Sequence, residues 1–261
     1  MPDIFYIGAS PIGGLHDVTK RTLDIIEDAD YIVCECIEIV KHTIEQGKWK
    51  TNAELLEYVY DIRGSWNPNE NWNGGSPLQH GTIKPGIQEL ILKLIKEGKK
   101  MIYMPERGSI GIEDPGQELM LFLQNNGVKV INLPGVSSII ASYIVANANG
   151  LGPSHRAFTF QPLVDLNKED LEKYIKSYKN SPNALIFMVH DPEMLDALKL
   201  MEKYYGPNRK ISICMNVSLD SERVIETTIG NIVESFKEED YFNMYTTIVV
   251  DRCDIPLPNQ D

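Results

Sequence analysis

The residues with the clearest chemical potential lie in three runs rich in glycine, proline and serine. The longest reads Met104-Pro-Glu-Arg-Gly-Ser-Ile-Gly-Ile-Glu-Asp-Pro-Gly116. Its three glycines and two prolines force sharp bends and bring backbone amides to the surface. Such a loop, placed between a strand and a helix, forms the floor of a small-ligand site in α/β sheets. A second run, Gly8-Ala-Ser-Pro-Ile-Gly-Gly14, follows the first apolar segment. It has neither the GxGxxG spacing of a dinucleotide fingerprint nor the Gly-Lys-Ser/Thr ending of a P-loop, so it does not favour NAD or ATP. The third, Leu133-Pro-Gly-Val-Ser-Ser138, ends in serines at an expected helix start, where amides and hydroxyls favour an anion. Cys34, Cys36, Cys214 and Cys253 are the four cysteines. A C-x-C pair without a histidine or cysteine cluster is poor zinc spacing, so no metal site is expected and the thiols read as free groups in or beside buried strands.

These loops need rigid elements to hold them. Short apolar runs predict strands over 3–8, 30–35, 101–104 and 128–132, and helical spacing predicts helices over 19–28, 51–58, 87–97 and 117–126. A second block repeats the pattern: strands over 157–160, 184–189, 211–216 and 246–250, with helices over 168–178 and 192–205. Alternating strands and helices imply an α/β protein with mostly parallel or mixed sheets. The Gly/Pro/Asn-rich stretch 147–154 reads as a linker, dividing the chain into domains 1–148 and 149–261. Residues 62–86 lack periodicity and carry two of the three tryptophans; a structureless loop of that length is either a functional lid or binding loop, or a surface excursion.

The chain has 261 residues, 43% apolar and 24% charged, the balance of a soluble globular protein. It lacks the basic and apolar regions of a signal peptide and any apolar run of the roughly 18–20 residues a membrane span needs, so a cytoplasmic protein without membrane contact is expected. The formal charge is −12, with 37 acidic residues against 25 basic ones. Because phosphate backbones are bound mainly by clustered cations, that balance is unfavourable for nucleic acid.

Taken in order, four segments are more specific than any alone: Ser10-Pro-Ile-Gly-Gly-Leu-His-Asp-Val-Thr-Lys-Arg-Thr-Leu23, the run from Gly108 to Gly116, Leu133 to Ser138, and the pair of stretches 184–189 and 211–229. Together they resemble the tetrapyrrole methylase superfamily, the class III S-adenosylmethionine methyltransferases. The amino half looks most like the branch of ribosomal RNA 2′-O-methyltransferase I, and the resemblance spans the chain apart from 62–86. It implies two α/β/α domains, the first on the acceptor side and the second on the adenosine side, with the cofactor in the interdomain cleft, and a homodimer. It also implies cofactor contacts at Pro11, Gly108, Ser109, Gly111, Ile112, Ser137 and Ser138 in the first block. In the second the matching positions are Met188, Asn216, Val217, Thr246 and Thr247, each of which also fits ordinary core packing.

The departures from that branch fall on the acceptor side. Its Asp-Thr-Arg run after strand two becomes Cys36-Ile-Glu38, leaving Glu35; its Asp-Ala-Gly-Thr-Pro becomes Glu106-Arg-Gly-Ser-Ile110; its Glu-Leu-Thr-Lys becomes Met215-Asn-Val-Ser218. Glu35 and Glu106 are the candidate bases, and both also fit structural roles. Tyr58, Tyr60 and Arg63 resemble groups that peptide backbone N-methyltransferases of the superfamily carry there, suited to activating an amide nitrogen. The acceptor therefore stays open among RNA, a peptide and a small molecule. A regulatory protein that binds S-adenosylmethionine without catalysis is the further alternative.

Overall fold

Five short runs pair into an all-parallel sheet in the computed structural model, which describes residues 3–59, 83–111, 114–146, 157–164, 166–189, 191–237 and 246–252. The strands are β1 (Ile4–Ile7), β2 (Tyr31–Cys34), β3 (Glu54–Glu57), β4 (Met101–Met104) and β5 (Lys129–Asn132), in the spatial order β3-β2-β4-β1-β5. β4 is buried along its whole length, as a strand covered on both faces must be. Met101 and Tyr103 point to one face, with Phe5, Val33, Ile91, Ile95, Leu119 and Leu123. Ile102 and Met104 point to the other, with Ile26, Ile32, Cys34 and Val40. Helices α3 (Ile87–Lys96) and α4 (Gly116–Asn125) supply the first layer, and α1 (Lys20–Asp28) and α2 (Ile37–Gly47) the second. The unit is thus a three-layer α/β/α arrangement whose period-2 strands sort their side chains between two cores.

One expected element is corrected. Residues 51–58 do not form a helix: Glu54–Glu57 is the edge strand β3, parallel to β2 with Tyr31 opposite Glu54 and Cys34 opposite Glu57. Glu-Leu-Leu-Glu favours a helix by local propensity, but pairing with the open edge of β2 satisfies its backbone, and tertiary context overrides so weak a preference. Helix α2 was not expected from the periodicity.

The second unit carries a five-stranded mixed sheet: β6 (Phe158–Leu163), β7 (Ala184–Val189), β8 (Lys210–Met215), β9 (Arg223–Thr228) and β10 (Thr246–Val250), in the order β6-β7-β10-β8-β9. β6 runs parallel to β7, and the remaining pairs are antiparallel. Pro162 sits in β6, an edge strand, where a missing N–H is tolerated. Helix α5 (Ser138–Ala146) covers one face over Ile186, Cys214 and Val249. Helices α6 (Lys168–Ser177), α7 (Asp191–Tyr205) and α8 (Ile229–Ser235) accompany the other, where Leu185, Phe187, Ile213 and Ile248 are buried.

The internal contacts divide the chain after Ser137, one helix earlier than the expected boundary at 148. The reason is α5, whose Ala146 packs with residues of β7, β8 and β10. Among the described residues, no helix is long and apolar enough to cross a membrane.

Candidate active site

The three glycine-rich runs converge at the carboxyl ends of β1, β4 and β5, the edge where open parallel sheets bind ligands. They are interlocked by backbone. The Ser10 N–H donates to the Gly108 carbonyl and the Gly108 N–H donates back to the Ser10 carbonyl, each at 3.0 Å. The buried Ser10 hydroxyl donates to the Pro105 carbonyl. Ser109 Oγ donates to the Val136 carbonyl at 3.0 Å, tying the second loop to the third. The Leu133 N–H donates to the Ile7 carbonyl at 2.8 Å. At Gly135 an added Cβ would come 2.2 Å from the Ala9 Cβ, so the third loop lies directly on the first.

Gly108 has φ +66, and a Cβ there would sit 3.2 Å from Ile12 Cγ2. Its N–H and its carbonyl are both engaged by Ser10 and the residue is buried, so it contributes left-handed geometry and the absence of a Cβ. Gly111 has φ +115, and its carbonyl accepts from the Gln117 side-chain amide. Pro11 is buried beside Ser10, Ser109 is exposed, and Ser137 and Ser138 are half-buried at the start of α5. Ile112 lies outside the described residues. Pro11, Gly108, Ser109 and Gly111 are therefore gathered in one loop cluster.

The loop's far end is held by groups that the sequence reading passed over. Asp114 Oδ1 accepts from the Gly116 N–H at 2.7 Å and from the Tyr103 hydroxyl at 3.1 Å. An Asp two residues before a helix-initiating Gly is an Asx-turn pattern, and that was the signal available. Ser10 lies within the first glycine-rich run, but nothing in the local sequence marks its pairing with Gly108.

The candidate bases lie just past the carboxyl ends of neighbouring strands. Cys34 and Met104 are register partners; Glu35 follows the first and Glu106 stands two residues beyond the second. Both are half-buried. Burial is the main cause that pushes the Cys34 thiol far up, helped by Cys36 and by the carboxylates of Glu57, Glu35 and Glu106. That thiol is inert at neutral pH, and the two candidate carboxylates share its surroundings. Glu57 is ion-paired with Lys84.

Tyr60 and Arg63 lie outside the described residues. Tyr58 is buried in the core, accepts from Gln88 Nε2 at 2.7 Å, and packs edge-on to Tyr103 with ring centroids 6.2 Å apart. Burial pushes its hydroxyl up to about 12. It is a core residue.

In the second unit, Thr246 pairs with Val189 and Met215, and Thr247 with Met188 and Cys214. Met188, Thr246, Thr247 and Asn216 thus share one end of the mixed sheet. Asn216 follows β8 in the left-handed region, φ +51, and its side-chain amide donates to Ser221 Oγ at 3.1 Å. Val217 is buried in the cluster under α5, so packing accounts for it.

Residues 4–233 match the family model described as Tetrapyrrole (Corrin/Porphyrin) Methylases. The chain belongs to this family. As a tetrapyrrole methylase it is an S-adenosylmethionine-dependent methyltransferase. It is 24% identical to the ribosomal RNA small subunit methyltransferase I of Synechocystis sp. over 235 residues, 90% of this chain and 74% of that one. Among solved structures, the methyltransferase CobJ superposes with a TM-score of 0.67 at 16% identity, covering 99% of this chain and 98% of that one. The uroporphyrin-III C-methyltransferase of Thermus thermophilus complexed with S-adenosylhomocysteine gives 0.61 at 14%, covering 94% and 96%. At these identities the structural likeness establishes the shared fold.

Proposed function

We propose that this tetrapyrrole methylase transfers the methyl group of S-adenosylmethionine to a nucleophile at the carboxyl edge of its first sheet, in the manner of its ribosomal-RNA-methylating relatives. The observation that carries the proposal is the interlocking of the three glycine-rich loops through Ser10–Gly108 and Ser109–Val136. It ties together, at the carboxyl edge of the first sheet, the loops that carry the family resemblance. The residues fit a close-lying cofactor, because Gly108 and Gly111 present no side chain there, and Ser137 and Ser138 place hydroxyls at a helix start suited to a carboxylate. Pro11, Ser109 and Ile112 complete this set, and Met188, Asn216, Thr246 and Thr247 form the second unit's set.

When bound, S-adenosylmethionine supplies an electrophilic methyl on a sulfonium sulfur. The chain's own contribution is alignment of the nucleophile with that methyl and exclusion of water, which can provide much of the barrier lowering. Glu35 or Glu106 accepts the acceptor's proton as the new bond forms. A second acceptor class, a peptide or other natural product, is favoured by the acidic surroundings of this edge: Glu35 and Glu106 both bear on Cys34, Glu38 is exposed on α2, and the net charge is −12. As the family resemblance implies, we take the protein to act as a cytoplasmic homodimer, which light scattering on the purified chain checks.

Calorimetry with S-adenosylmethionine on wild type, Gly108→Val and Ser137→Trp tests the cofactor site. Both substitutions are expected to weaken binding strongly; unchanged affinity in both overturns the placement. Radiolabelled methyl transfer to small ribosomal subunits, run beside a panel of peptides, decides the acceptor.

A further inference from the structure

We infer that Tyr103 and Asp114 form a positioning pair that sets the cofactor loop from beneath, an inference that rests on the proposed cofactor site. Tyr103 lies in the middle of the parallel sheet and is fully buried. A buried phenol needs a partner for its hydroxyl, and here it donates to Asp114 Oδ1 at 3.1 Å. The same oxygen accepts the Gly116 N–H at 2.7 Å, one of the amides that a helix start leaves without an intrahelical partner. One carboxylate oxygen therefore joins the strand that launches the loop to the helix that receives it.

The packing leaves little freedom around this joint. A Cβ at Gly116 would sit 2.6 Å from Ile110 Cδ1, 2.8 Å from Asp114 Oδ1 and 2.8 Å from Tyr103 Cε1. Gly116 lets the turn close on the tyrosine ring, and Ile110 is pressed down from within the loop. The Ser10–Gly108 pairing holds the loop's first half; the Tyr103–Asp114–Gly116 joint holds its second. Between them stand Ser109 and Gly111, the residues assigned to the cofactor. Burial, the largest cause, holds the Tyr103 hydroxyl well above its ordinary value, so the phenol remains a donor across the neutral range.

The interaction is hydrogen-bond acceptance by Oδ1, which an asparagine oxygen also provides. The test is calorimetric binding of S-adenosylhomocysteine, with thermal melts, on Y103F, D114A, D114N, the Y103F/D114A double variant and G108V. Y103F and D114A are each expected to weaken binding roughly tenfold, equivalent to about 1.4 kcal/mol, while remaining folded at the assay temperature. D114N is expected to restore binding to within about twofold of wild type, and the double variant to be no weaker than D114A alone, because the two groups act through one bond. Full affinity in D114A and Y103F overturns the pair, and so does D114N failing along with D114A. The two levels separate: wild type that binds no S-adenosylhomocysteine, or full binding by both G108V and the S137W variant proposed above, defeats the proposed site. Loss in G108V with full binding in D114A and Y103F defeats only the positioning pair.

Discussion

At the scale of single residues, glycine does its work here by absence. Gly135 faces the Ala9 Cβ, and a Cβ added there would come within 2.2 Å of it, far inside contact distance and with little room to yield. Gly135→Ala is therefore expected to destabilise the first unit by about 1–3 kcal/mol, the usual range for overpacking, seen as a lower urea midpoint at unchanged slope. A midpoint equal to wild type would mean the two loops part easily. Glu35 and Glu106 pose a different question, since each is half-buried beside the same thiol. If one is the base, its glutamine variant keeps cofactor affinity and loses roughly 100-fold or more in turnover, while the other variant stays near wild type. Equal, small effects in both would leave deprotonation to solvent.

At the scale of elements, caps set two of the helix ends. Thr19 accepts the Thr22 N–H at 3.2 Å and so caps α1. Thr19→Ala should cost about 1 kcal/mol, read from denaturant unfolding. Helix α2 ends on Lys48 at φ 52 and ψ 38, a left-handed conformation that costs a non-glycine residue about 1–2 kcal/mol. Lys48→Gly should stabilise the protein by about 0.5–1 kcal/mol, the strain relieved less glycine's larger chain entropy. A loss of stability there would show that the lysine side chain makes a compensating contact. Strand β3 teaches the converse: its Leu-rich sequence suits a helix, and only the vacant edge of β2 makes it a strand.

At the scale of the whole molecule, both units bury ionisable groups in their cores, and this fixes the response to alkali. Burial pushes Tyr58 in the first unit and Cys214 in the second up to about 12, from ordinary values of 10.0 and 9.0. Cys34, Tyr103 and Tyr205 shift the same way for the same leading reason. A raised value in the folded state means that the unfolded chain loses its protons first. The stability these groups confer is complete below the ordinary values and is lost as pH rises from there toward about 12. Melting temperatures by circular dichroism should therefore fall steadily above about pH 9; a flat profile to about pH 11 would contradict the burial of these groups.

Much of this organisation was legible in the chain because it is written locally. The apolar run Met101–Met104 and the glycine and proline turns are decisions made by neighbouring residues, through strand patterning and allowed dihedral angles. The order of the three loop motifs carried the resemblance to a methyltransferase family, and the chemistry came with that resemblance. Tertiary structure decided what depends on distant partners. It made 54–57 a strand because β2 offered an edge, and it gave α5 to the second unit because the apolar face of that unit's sheet received it. It also committed the Gly108 amide to Ser10 and the Asp114 carboxylate to Tyr103. Local sequence determines which shapes a segment can adopt; which of its hydrogen bonds remain for a ligand is settled only when remote segments have taken theirs.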